Sequence, residues 1–168
     1  MQRSQFLRGI TGTGLLLSAV PLSASPLPVK PVEQLDKALV EEFVRQAHSD
    51  MDVVASMLAE HPTLLNAAHD WEKGDFETGL GAASHVGYKE LASFFLEKGA
   101  QANIFTACLF GQTALVKSML TAFPQALNAK GPHGYTLLHH AEQGGDAAAE
   151  VKEYLQSMGA KDMIIKLF

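Results

Sequence analysis

Thr78 to Asn103, T-G-L-G-A-A-S-H-V-G-Y-K-E-L-A-S-F-F-L-E-K-G-A-Q-A-N, reads as two short helices joined by a tight turn. Thr78 is placed to cap the first helix, its hydroxyl oxygen accepting a backbone N–H that otherwise has no partner, and Leu80 points inward behind it. Ala82, Ala83 and Ser84 keep this helix thin, so a second helix can lie close against it. Gly87 supplies the turn in a backbone conformation that is costly for any residue with a Cβ. In the second helix Leu91, Phe94, Phe95 and Leu96 recur at spacings of three and four, which lines one face with apolar side chains. Gly99 ends it. One such hairpin cannot bury its own apolar face, so neighbouring copies are required.

The turn residue locates those copies. Asp50, Gly87, Gly111 and Gly145 follow one another at steps of 37, 24 and 34 residues, and the short step predicts that Asn103 leads almost directly into a helix through Thr106, Ala107, Cys108 and Phe110. Its partner helix is expected from Gln112 to Thr121. P-T-L-L-N-A at Pro62 to Ala67 and P-Q-A-L-N-A at Pro124 to Ala129 repeat at an offset of 62, each after an apolar helix that the proline cannot continue. The last copy, H-G-Y-T-L-L-H-H-A-E-Q-G-G from His133 to Gly145, is followed by a helix through Val151, Tyr154 and Leu155 to Gly159.

The Thr78 and Thr136 segments resemble the T-P-L-H-x-A signature of ankyrin repeats. Gly79 and Leu137 stand where the family has proline, and Gly81 stands where the first copy should have histidine. The resemblance implies an all-α ankyrin-repeat solenoid of about four helix-pair repeats, with irregular and partly truncated hairpin loops. Their spans are about 38–66, 76–103, 104–128 and 134–161, in a domain covering 33–168. The apolar segment 162–168 (Met163, Ile164, Ile165, Leu167 and Phe168) is expected to fold back and cap the end of the stack. The stretch from Glu33 to Asp162 resembles small exported bacterial ankyrin-repeat proteins, which implies a binding module without a defined ligand.

Hydrophobic residues make up 47% of the 168 and charged residues 18%, enough for one core and with no low-complexity run. Arg3 and Arg8 flank an apolar run from Gly9 to Val20, and four prolines fall between Pro21 and Pro31. Residues 1–25 therefore read as a secretory signal peptide and 26–32 as a Pro-rich linker, giving a periplasmic or secreted protein. R-S-Q-F-L-R, Arg3 to Arg8, resembles a twin-arginine signal with Ser4 in place of the second arginine, so the twin-arginine and general routes both stay open. The apolar run is broken by Thr11, Gly12, Thr13 and Gly14 and falls short of the roughly 18–20 residues of a span, so no stable membrane span is expected after cleavage. The single cysteine, Cys108, allows no internal disulfide. Without Arg3 and Arg8 the 13 basic residues become 11 against 18 acidic, a net of −7 with no basic cluster, which argues against nucleic acid as a partner.

No nucleophile elbow, phosphate loop or cysteine–base pairing is present, so no catalytic residue is assigned and the chain reads as non-enzymatic. No cofactor is called for. His133, His139, His140 and Glu142 lie close in sequence. Adjacent His139 and His140 point in different directions, however, and one of them takes the place of the structural ankyrin histidine, so no metal ligand is assigned. His48, His61, His69 and His85 are expected at the surface or in caps. The long loop D-W-E-K-G-D-F-E, Asp70 to Glu77, carries Trp71, Asp75 and Phe76, and the G-P-H-G-Y turn carries His133 and Tyr135. These five are the candidate contacts for a protein partner, made through the hairpin tips and the concave helix face, the other reading being that Trp71 and Phe76 tuck against the first helices and hold the loop. The alternative is a small-ligand or metal-binding protein that uses the His133–Glu142 region.

Overall fold

Helix starts in this chain are set by side chains that take up free backbone amides. In the computed structural model, which describes residues 34–168, Asp36 accepts from the amides of Ala38 and Leu39 at the head of α1 (Lys37–Gln46), and Asp50 caps α2 (Met51–Glu60). Thr78 accepts from Gly81 N–H at the start of α3 (Gly79–His85), which turns into α4 (Lys89–Glu97). Asn103 caps α5 (Ile104–Leu109), followed by α6 (Thr113–Ala122). Thr136 caps α7 (Leu137–Gln143), which leads through a 3-10 turn at Gly145–Ala148 into α8 (Ala149–Ser157). Both P-x-x-L-N-A copies form 3-10 turns with proline at the first position, Pro62–Asn66 and Pro124–Asn128. The signal and linker readings at 1–32 lie outside the described residues.

These helices make four antiparallel hairpins. The first helices α1, α3, α5 and α7 each pack on the next to form a row, and each is backed by its own partner helix. The chain is mainly α and not purely so, because the H-D-W and D-F-E-T segments pair as antiparallel strands β1 (Ala68–Asp70) and β2 (Phe76–Thr78), with His69 opposite Glu77. Alternation along β2 buries Glu77 and leaves Phe76 62% exposed on the other face.

The core follows the row. Val40, Phe43, Leu64, Leu80, Leu91 and Phe95 fill its first half, and Ile104, Val116, Leu120, Leu137, Val151 and Leu155 its second. Phe43 and Phe95 meet edge to face with ring centroids 5.9 Å apart. A Cβ on Gly79 would lie 2.7 Å from Phe95 Cζ and 3.0 Å from Phe43 Cε1. That packing accounts for glycine where the repeat signature carries proline.

Only three residues separate Ala100 from α5, so the third hairpin has no strand pair beside it. The G-P-H-G-Y turn before α7 crosses this gap and meets the β1–β2 loop directly: His133 N–H donates to Asp75 Oδ1 at 2.8 Å. The C-terminal segment does fold back, but as a backbone strap. Ile165 N–H donates to Gly134 O, Thr136 N–H to Met163 O, and Thr136 Oγ1–H to Asp162 O. Met163, Ile164 and Phe168 stay exposed while Ile165 and Leu167 are half-buried, so the tail closes the last turn chiefly by hydrogen bonding and covers it with only part of its apolar side chains. The reason lies in Gly134, whose positive φ of 79° presents its carbonyl and lets Ile165 O come within 2.1 Å of where a Cβ would sit.

Candidate functional site

Four of the five residues singled out from sequence, Trp71, Asp75, His133 and Tyr135, converge on the edge where the β1–β2 loop meets the G-P-H-G-Y turn. The fifth, Phe76, points away from it. Asp75 is buried, with both carboxylate oxygens committed to His133: Oδ1 to its backbone N–H and Oδ2 to its Nδ1 at 2.7 Å. His133 has a positive φ of 58°, an uncommon conformation for a residue with a side chain, and the double hold of Asp75 offsets its cost.

At the centre of this edge lies Glu77, 1% exposed. Trp71 donates its indole N–H to Glu77 Oε2 at 2.7 Å. Three imidazole Nε2 atoms surround the same carboxylate: His85 at 2.9 Å from Oε1, His48 at 3.5 Å and His133 at 3.4 Å from Oε2. His48 and His85 face each other with their Nε2 atoms 3.1 Å apart. His85 approaches Oε1 closely, but its ring N–H is not aligned for a hydrogen bond, so Oε1 is buried without a hydrogen-bond partner.

The surroundings fix the tautomers. His48 Nδ1 lies 3.0 Å from Val44 O, which can only accept, so Nδ1 carries the hydrogen and Nε2 of the neutral ring presents a lone pair. Asp75 does the same for His133. Tyr135 stacks on His85 at 4.8 Å and on His139 at 4.0 Å, and His139 Nε2–H donates to His85 O at 2.8 Å. The Arg45 guanidinium lies 5.5 Å over the Trp71 ring.

Burial by itself would raise the Glu77 pKa. The close approach of His85, the Trp71 indole N–H and the charges that His85 and His48 bring when protonated outweigh it and lower the pKa. His139 is held below the usual histidine range by burial against the partial support of its bond to His85 O. Burial also lowers His140, to about 4, against its hydrogen bond to Thr136 O.

The His133–Glu142 stretch does not act as a unit. His140 is buried and donates from Nδ1 to Thr136 O, His139 is spent on His85 O, Glu142 pairs with Lys152, and of this group His133 alone joins the cluster. Sequence reading placed His48 and His85 at the surface or in caps, whereas they are two of the three converging imidazoles. A signal for them existed. His48 and His85 each precede the turn residue of their hairpin by two, Asp50 and Gly87, so they occupy equivalent positions in adjacent units.

No known family model matches this chain, and no curated protein is significantly similar to it.

Proposed function

We propose that the chain is a non-enzymatic binding module of the ankyrin-repeat type, acting after export in the periplasm or outside the cell. It recognises a protein partner along the edge formed by the β1–β2 loop and the G-P-H-G-Y turn. The observation that supports this reading is convergence: Trp71, Asp75, His133 and Tyr135, drawn from segments 58 residues apart between Asp75 and His133, build one aromatic and polar edge. The row of four hairpins, with Thr caps before α3 and α7, supports the ankyrin assignment. The groups that give the edge its shape are themselves tied down, Trp71 to Glu77 and Asp75 to His133. Contact with a partner therefore falls to the exposed rim beside Trp71 and His133, Glu72 and Phe168. Among the described residues no helix is long and apolar enough to cross a membrane.

The test is site-specific photo-cross-linking in the exported fraction with the probe at Lys73. A discrete adduct should form with the wild-type edge and weaken in Glu72→Ala and Phe168→Ala chains. Leu115→Ala, an exposed substitution on α6, should leave it unchanged. An adduct indifferent to all three substitutions places the partner surface elsewhere.

A further inference from the structure

The group around Glu77 has a mismatch of donors and acceptors that its own hydrogens do not resolve. With His48 and His133 held through Nδ1, both turn lone pairs toward the centre, and Glu77 is an acceptor only. His85 has one Nε2 position to serve both His48 Nε2, at 3.1 Å, and Glu77 Oε1, at 2.9 Å, and it aligns with Oε1 poorly enough to leave that atom orphaned. A buried carboxylate oxygen that accepts no hydrogen bond leaves its lost hydration unreplaced. One bound cation would turn all of these lone pairs from a liability into ligands.

We propose that His48, Glu77, His85 and His133 form a binding site for one divalent transition-metal ion, zinc in the first instance. The four ligand atoms lie within 4.8 Å of one another. A tetrahedral ion with bonds of about 2.0–2.1 Å holds its ligand atoms about 3.3 Å apart. His85 lies 2.9 Å from Glu77 Oε1 and 3.1 Å from His48, and His133 and His48 lie 3.4 and 3.5 Å from Glu77 Oε2, near that value, while the set as a whole stays within 4.8 Å. Three imidazoles and one carboxylate suit zinc and its first-row neighbours, and do not suit calcium or magnesium, which take oxygen ligands.

The outer partners are those a metal site requires: a carboxylate behind His133, a backbone carbonyl behind His48, an indole N–H on Glu77 and a stacked Tyr135 ring that orients His85. Four protein ligands fill a tetrahedron and leave no position for a substrate, so the site is structural and not catalytic. It joins the turn of the first hairpin (His48), β2 and α3 of the second unit (Glu77 and His85) and the turn before α7 (His133). The truncated third unit is what lets His133 reach the other three. The site does not depend on a protein partner and can be examined on the isolated chain.

Trp71 is the sole tryptophan and donates to Glu77, which makes it an internal reporter. The full chain, stripped with a chelator, is titrated with Zn2+ while Trp71 fluorescence is followed, and separately with Co2+ while visible absorption is read. The expected results are a break at one equivalent and the intense d–d bands of four-coordinate cobalt. Both signals should be lost in Glu77→Gln and in His48→Asn/His85→Asn. Asp75→Asn, which alters only the support of His133, should weaken binding 10–100-fold. His69→Ala, outside the cluster, should bind as wild type. Circular dichroism on each apo variant separates lost ligands from lost fold. Equal binding by wild type and the correctly folded Glu77→Gln chain overturns the proposal, as does six-coordinate cobalt or the absence of saturable binding to wild type.

Discussion

Acidification offers a quantitative check on the packing of α7. His140 is 1% exposed, donates from Nδ1 to Thr136 O at 2.8 Å and lies 5.0 Å from the Phe105 ring. Burial lowers its pKa from 6.5 to about 4. Above pH 6.5 the ring is neutral in both the folded and unfolded chains and contributes no pH dependence. As pH falls below 6.5 the unfolded chain takes up a proton that the folded chain refuses, so stability is lost until the folded ring titrates near 4. At about 1.4 kcal/mol per pH unit the full loss is about 3 kcal/mol, and about 2 kcal/mol of it falls between pH 7 and pH 5. Urea unfolding at those two pH values, with a chelator present, should show His140→Gln losing about 2 kcal/mol less than wild type, since glutamine can still donate to Thr136 O but does not titrate. The other titratable groups are common to both chains, so their contributions largely cancel in the difference. Parallel losses in the two chains would refute the claim that His140 is buried in its neutral form.

Three further outcomes follow from the packing. Gly111 has φ 63°, and a Cβ there would lie 1.9 Å from Ala147 O, a backbone atom of the fourth hairpin. Gly111→Ala should therefore cost about 3 kcal/mol or more by thermal or urea unfolding, combining left-handed strain with a clash that no side-chain rotation relieves. Phe95→Ala removes a fully buried ring that packs against Phe43 and should cost about 3–5 kcal/mol in the same assay. Burial raises the Cys108 thiol to about 12, so a thiol reagent at pH 8 should label the native chain only at its rate of opening, and one thiol per chain once urea unfolds it.

The helical hairpins were legible in sequence because their determinants are local. Thr78 and Thr136 act as caps through amides three residues away, Gly87 and Gly111 sit at turns with positive φ, and the apolar stripe of α4 follows from its own spacing. The short step between Gly87 and Gly111 announced the missing hairpin loop, the strand pair, of the third unit. The strand pairing of β1 with β2 and the exposed course of the C-terminal strap were not legible. Both depend on backbone groups meeting across the fold, and side-chain patterning does not encode that contact. The sequence offers Trp71, Asp75, His133 and Tyr135 as contacts for a partner and leaves packing against the first helices open for Trp71. The structure spends Trp71 and Asp75 on internal hydrogen bonds, because Glu77 and His133 are there to receive them.

The sequence by itself determined the repeating hairpin, its caps and its irregular spacing, since each is fixed by residues within a few positions of one another. Only the tertiary structure decided the site. His48, Glu77, His85 and His133 span 86 positions of the chain, and their Nε2 and carboxylate atoms meet because equivalent helix ends stack in adjacent hairpins. The truncated third unit lets the G-P-H-G-Y turn reach across to join them. Spacing along the chain hints at His48 and His85, which hold equivalent places two before their turn residues, but not at Glu77 or His133, and the histidine group closest in sequence, His133 to His140, is dispersed by the fold.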